Sequence, residues 1–347
     1  MAEEKMFLTG NEAAVLGARD AGAKIMFGYP ITPASEILHG WIAATEKDNN
    51  LQYLQTEDEI AAGFGVVGAT LAGTRAFTAS AGPGHILMQD ALAMAEALRL
   101  PFVGIMMQRG GPSTGTVNFS QQEVNLAIFG GNGNGLRLVY SASSVKEMYE
   151  LTLQAFSDAW QYRFPTIVLG DGYLGKMKNT LNLERKISHP IDKPILNKEN
   201  QTGHLRNCFS SEEALAKEIR LALTDWQKNK RVLAQAENFM TQDAKTLIIA
   251  HGLVAAATKD AILALRAQNQ LIGLWRPITL NPIEILSLGE AAQRAEKIYI
   301  IESALDQLSR LIKYELANLK IKAPIIEISK PAEGFLAEEI VERIKNA

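Results

Sequence analysis

The stretch "AKIMFGYPITPASEILHGWIAATEK", Ala23 to Lys47, decides the fold, because its pattern changes halfway along. "AKIMFGY" is an apolar run of strand length, and from Ala34 onward the apolar residues recur at helical spacing. Between the two, a pair of prolines brackets Ile31 and Thr32. Pro33 suits the first position of a helix, which predicts Thr32 as its N-cap. The rigid turn is either only a stiff helix start or a brace that holds Thr32 for chemistry. A strand that runs directly into a helix is the repeating unit of a parallel sheet.

The same unit recurs outward from this stretch. "NEAAVLGARDAG" (Asn11 to Gly22) reads as a helix with Asn11 as N-cap and Gly22 beyond its end. "LQYLQT" is followed by "EDEIAAGFGVVGATLAG", "TRAFTAS" by "GPGHILMQDALAMAEAL", and "LRLVYSA" by "VKEMYELTLQAFSDAWQY". "PFVGIMMQ" and "PTIVLGD" are further strands. The region 179–243 reads as a linker with one helical stretch, in which Ser210 and Glu213 have capping-box spacing. A second series starts at "AKTLIIAHG" and continues through "LIGLWRPI" and "AEKIYIIES" to a final helix. The expected fold is α/β, with two three-layer domains of mainly parallel sheet at 1–178 and 244–347.

The 347 residues are enough for about two such domains. A net charge of −3 gives no reason to expect nucleic acid as a partner. No stretch reaches the ~18–20 apolar residues of a membrane span. The acidic N-terminus does not resemble a signal peptide, so a cytoplasmic location is expected. A single cysteine, Cys208, can neither form an internal disulfide nor hold a metal cluster alone. No metal ligands are expected on this chain.

In open α/β sheets, sites form beyond the carboxyl ends of the strands, and four unusual loops fall there. "GYPITP" presents Thr32. "QTEDEI" puts Glu57, Asp58 and Glu59 at a helix start, where the dipole favours negative charge. Glu59 alone leads into the small-residue face "AAGFGVVGA", where burial would raise its pKa. "TASAGPGH" is a small-residue turn, Ser80 to Gly84, whose backbone N–H groups suit an anion or equally form a plain tight turn. "MMQRGGPSTG" leaves Arg109 at a strand end, offering a planar fork to a carboxylate or phosphate. The tract "GGNGNG" lacks the dinucleotide spacing and precedes a strand. "GDG", Gly170 to Gly172, is not followed by the Asn pair that completes the thiamine-diphosphate motif, so it is rejected as a cofactor site.

Taken in order, "GNEAAVLGARDAG", "FGYPITPASEI", "EDEIAAGFGVVGA", "TASAGPG", "RGGPSTG" and "LWRPITLNP" resemble the α subunits of 2-oxoacid:ferredoxin oxidoreductases. The resemblance runs over nearly all of 10–175 and more loosely over 244–347. It implies a thiamine-diphosphate pyrimidine-type domain followed by a transketolase C-terminal-like domain. The implied activity is oxidative decarboxylation of a 2-oxoacid with CoA, giving acyl-CoA and CO₂ with electrons passed to ferredoxin. Thiamine diphosphate would be shared with a β subunit that carries Mg²⁺ and iron–sulfur clusters, in a complex with γ and ferredoxin-like subunits.

By the same resemblance Glu59 meets the aminopyrimidine ring and favours its imino tautomer, Thr32 and Arg109 contact the substrate, and Ser80, Gly82 and Gly84 line the cofactor pocket. Two departures stand out: "TVNFSQQE" after "PSTG", where relatives often have Pro-Thr, and "IESALDQLSRL" in the second domain. The sequence looks most like the branched-chain 2-oxoacid branch, with the 2-oxoglutarate branch next. An indolepyruvate-type or synthase-type enzyme and a non-catalytic assembly subunit remain as alternatives.

Overall fold

The computed structural model describes residues 4–188, 193–196 and 205–346. The first half of the chain contains β1 (Glu4–Thr9), α1 (Gly10–Asp20), β2 (Ile25–Gly28), α2 (Ser35–Thr45), β3 (Gln52–Gln55), α3 (Glu59–Leu71), β4 (Ala76–Ser80), α4 (Pro83–Leu87), α5 (Gln89–Ala97), β5 (Val103–Gln108), α6 (Val124–Phe129), β6 (Leu138–Ser141), α7 (Val145–Tyr162), β7 (Thr166–Asp171), α8 (Gly172–Lys176) and β8 (Lys178–Leu183). There follow α9 (Glu212–Leu233), β9 (Ala236–Phe239), β10 (Thr246–Ile249), α10 (Gly252–Arg266), β11 (Ile272–Pro277), β12 (Thr279–Asn281), α11 (Ile285–Arg294), β13 (Lys297–Glu302), α12 (Leu308–Asn318), β14 (Ile325–Ser329) and α13 (Ala337–Lys345).

A seven-stranded sheet has the order β12-β6-β7-β5-β4-β2-β3, and a five-stranded sheet the order β14-β13-β10-β11-β9. Both are parallel except at one edge, where β12 and β9 pair antiparallel with β6 and β11. Side chains alternate across the pleat. Val103, Ile105 and Met107 of β5 therefore pack with Trp41 and Phe156 beneath α2 and α7, while Met106 packs with Val66 and Leu92 beneath α3 and α5. The second of these cores continues into the other sheet through Leu247, Ile249 and Trp275. Ile248 and Leu274 face the opposite way and are covered by Val254 and Ile262 of α10 and Ile340 of α13. Strands such as β5 and β7 are buried along their whole length because helices cover both faces, which is why they read as continuous apolar runs.

Several local expectations change. Asn11 does not cap α1: Thr9 does, in a reciprocal capping box with Glu12. This frees the Asn11 amide, whose Nδ2 donates to Pro33 O at 2.9 Å. Thr32 does not cap α2 either. Residues 31–34 close a turn through Ala34 N to Ile31 O at 2.8 Å, and the helix starts at Ser35 without a side-chain cap. Ser211, not Ser210, caps α9, because the helix begins one residue later than the spacing suggests. The region 179–243 also supplies most of β8, which pairs with β1, and all of β9, which joins the second sheet. Its residues 189–192 and 197–204 lie outside the described residues. Among the described residues no helix is long and apolar enough to cross a membrane.

Candidate active site

Strands β2, β3, β4 and β5 are parallel neighbours, so the loops that leave their carboxyl ends emerge on one side of the sheet. Those loops carry Thr32, Glu59, Ser80 to Gly84, and Arg109. Topology thus brings together residues up to 77 positions apart: Arg109 Nη1 donates to Thr32 O at 2.8 Å.

Glu59 opens α3 behind Asp58, whose carboxylate caps the helix by accepting from Ala61 N at 2.8 Å. The Glu59 side chain is buried, at 4% exposure. Burial raises its pKa above the ordinary glutamate value; Asp58 reinforces the shift, while its own backbone N–H and Arg109 oppose it. Opposite it, Gly84 has no side chain, and a Cβ there would overlap both Glu59 Oε1 and Ser80 Oγ. Gly82 has φ +50°, and a Cβ would lie 2.8 Å from Arg109 Nε. The two glycines therefore let the carboxyl and the hydroxyl pack against the turn at Gly84, and the guanidinium at Gly82. Ser80 Oγ and Arg109 Nε are buried and have no hydrogen-bond partner among the described residues. Buried polar atoms are normally satisfied, so these two are available to a further partner. The Thr32 hydroxyl likewise makes no hydrogen bond among the described residues, so capping does not compete for it.

Sequence reasoning missed two residues here. Glu123, 5% exposed, accepts from Gly82 N at 2.9 Å and Arg109 N at 3.0 Å through one oxygen. Its other oxygen meets Nδ1 of the fully buried His85 at 2.8 Å. All three partners are distant in sequence, so no spacing rule could flag them.

Three other acidic or basic groups at or just beyond strand ends have structural roles. Asp171 of the Gly170–Gly172 triplet caps α8, accepting from Tyr173 N and Leu174 N at 3.0 and 2.9 Å. Burial pushes its pKa up to about 7. In the second sheet, Glu302 accepts from the backbone N–H groups of Gln307, Leu308 and Ser309. His251 Nδ1 lies 2.8 Å from Ser141 Oγ, and burial lowers its pKa to about 3. Among the described residues, no group of three or more His, Cys, Asp or Glu side chains is placed to hold a metal.

Residues 16–245 match the family described as pyruvate flavodoxin/ferredoxin oxidoreductase, thiamine diphosphate-binding. Ketoisovalerate oxidoreductase subunit VorB of Methanothermobacter marburgensis is 34% identical over 310 residues, 88% of each chain. The solved 2-oxoglutarate:ferredoxin oxidoreductase from Magnetococcus marinus, with 2-oxoglutarate, coenzyme A and succinyl-CoA bound, superposes with a TM-score of 0.85 at 26% identity. That match covers 99% of this chain and 65% of the solved one, so the chain spans just under two thirds of that relative. A split gene transketolase, at 13% identity and a TM-score of 0.63 over 97% of this chain and 96% of that one, shares the fold. The chain belongs to the 2-oxoacid:ferredoxin oxidoreductase family, as one subunit of such an enzyme.

Proposed function

We propose that this chain is the α subunit of a CoA-dependent 2-oxoacid:ferredoxin oxidoreductase, acting on a branched-chain 2-oxoacid or 2-oxoglutarate, and that Glu59 is its catalytic carboxyl. The observation that carries this reading is the Glu59 carboxyl, buried and raised in pKa, packed against Gly84 beside the orphaned Ser80 hydroxyl. These residues fit the aminopyrimidine end of thiamine diphosphate, which a carboxyl group meets by hydrogen bonding and proton exchange. When bound, the cofactor supplies the carbanion chemistry that releases CO₂ from a 2-oxoacid. The chain's own residues then do the rest. Glu59 holds a proton at the pyrimidine. Gly84 lets the Glu59 carboxyl and the Ser80 hydroxyl come together against the turn, where both would meet the ring. Arg109 offers Nε and its second Nη to the substrate carboxylate while Nη1 stays on Thr32 O. The Thr32 hydroxyl is left for a substrate oxygen.

The diphosphate, Mg²⁺ and the iron–sulfur clusters belong on a partner β subunit in this reading, as the family resemblance implies; the lone Cys208 cannot supply a cluster's thiolates. Exposed apolar residues on the elements around Glu59 support such a partner: Tyr29, Tyr53, Leu54, Ile60, Ile86 and Leu87 are 40–54% exposed. Ferredoxin, CoA and further γ and ferredoxin-like subunits follow from the family.

Glu59→Gln in the complex reconstituted with the partner subunit should lower 2-oxoacid-dependent ferredoxin reduction by roughly 10²- to 10⁴-fold. Unchanged turnover would remove Glu59 from catalysis. The chain purified alone should turn over no 2-oxoacid, and activity without a partner would overturn the shared site. A panel of branched-chain 2-oxoacids, 2-oxoglutarate and indolepyruvate assigns the substrate.

A further inference from the structure

The segment "SQQE", Ser120–Glu123, ends the stretch "TVNFSQQE" in which the chain departs from the commoner family pattern, and three successive side chains in it reach three different places. Gln121, 1% exposed, donates Nε2 to His251 O at 2.8 Å, accepts from Ser303 N at 2.9 Å and donates its own N–H to Ser303 O at 3.1 Å. Both partners are at strand ends of the second sheet. Gln122 accepts from Gly111 N at 2.7 Å, in the loop that follows Arg109. Glu123 binds the backbone of Gly82 and of Arg109 on one oxygen and His85 on the other.

We propose that Glu123 is the positioning residue for Arg109 and the Gly82 turn, with Gln121 anchoring it to the second sheet. This rests on the preceding reading, in which Arg109 holds the substrate carboxylate. Arg109 is fixed at both ends: its backbone N–H by Glu123, and its guanidinium by Thr32 O. Between those points Nε is unspent. A charge-assisted acceptor holds two backbone donors more firmly than a neutral one does, so the carboxylate fixes both loops against each other. It also sets the imidazole, because a ring nitrogen facing a carboxylate carries the proton. Replacing the carboxylate by an amide keeps the shape, weakens both backbone bonds and presents an N–H₂ group to one of the three partners.

The test is steady-state kinetics of Glu123→Gln in the reconstituted complex, alone and combined with Arg109→Lys. Glu123→Gln should raise KM for the 2-oxoacid roughly tenfold while KM for CoA changes less than about twofold. In the Arg109→Lys background the same change should add less than about twofold, because a residue acting through Arg109 has little left to lose. Should Glu123→Gln fail to assemble, Glu123→Asp, which keeps the charge but shortens the reach, serves the same comparison. If Arg109→Lys raises KM for the 2-oxoacid and the Glu123 variant does not, or if the two effects multiply in full, the positioning role is refuted while the reading of Arg109 stands. If Arg109→Lys leaves that KM unchanged, the reading of Arg109 falls and the positioning role falls with it.

Discussion

The carboxyl ends of the two parallel sheets make the instructive comparison. At the first, Ser80 and Arg109 keep buried polar atoms without partners around two glycines. At the second, Glu302 is spent on three backbone N–H groups, and Ser303 bonds both Gln121 and Glu333 O. Arg276, 1% exposed, is paired with Glu147 at 2.5 Å and Glu237 at 2.9 Å. Both sheets present strand ends followed by helices, the geometry that favours ligand sites. What separates them is satisfaction. The second sheet uses most of its polar groups to brace its own loops and the first sheet, although His251 Nε2 and Arg276 Nε stay unpartnered there. The first withholds several from internal bonds, at a cost in stability that a ligand offsets.

If that comparison holds, changes at the second sheet lower stability and changes at the first lower activity. The largest stability effect should come from Arg276→Ala, which takes the guanidinium from Glu147 and Glu237 in a partly buried network and leaves Glu237 on Lys259 and Glu147 on Ser143. It should cost about 3–5 kcal/mol in urea unfolding; a variant that folds as well as the parent but has lost turnover would reverse the comparison. Gly84→Ala should lower turnover by roughly 10²-fold, since a methyl group would enter the space between Glu59 and Ser80. Turnover within about twofold of the parent would show that this space is not where the reacting group sits.

Two pH measurements sharpen the contrast further. His251, with its pKa lowered to about 3, stays neutral in the folded state while the unfolded chain takes up a proton near the ordinary histidine value of 6.5. Stability should therefore fall as pH drops from about 6.5 towards 3, and His251→Gln should flatten that part of the Tm profile. An unaltered profile would place the acid sensitivity elsewhere. Asp171 has the opposite sign. Its folded pKa of about 7 lies above the ordinary aspartate value of 3.8, so the folded state keeps a proton that the unfolded chain releases. Stability falls as pH rises through that window, and the Tm of Asp171→Asn relative to the parent should climb between about pH 4 and 7. This effect should be the smallest, because Asn keeps the cap. A constant Tm difference across the window would mean that Asp171 titrates normally.

Much of the candidate site is legible in the sequence. Glu59, Arg109 and the Ser80–Gly84 turn were visible because each breaks a local rule: an acid leading into a tight face, a cation ending an apolar strand, glycines where a helix should start. The capping assignments failed for the opposite reason. Thr9, Asn11, Thr32, Ser210 and Ser211 all obey the same local preference, and a shift of one or two residues in a helix start decides which of them, if any, is used. Asn11, released from capping, ties α1 to the Thr32–Pro33 turn. The run "LIGLWRPI" stops short of β12, a three-residue strand with no sequence signal of its own that crosses to the edge of the first sheet beside β6.

The sequence by itself determined the α/β class, the order of strands and helices, and the chemical character of the four loops, because those follow from period, propensity and residue type. Only the tertiary structure decided which polar groups are satisfied and which wait for a ligand. Glu123, His85 and Gln121 act through partners 14 to 182 residues away. Hydrogen bonds at that separation are set by how strands order within a sheet and how the two sheets pack, and neither is a property of any local stretch of chain.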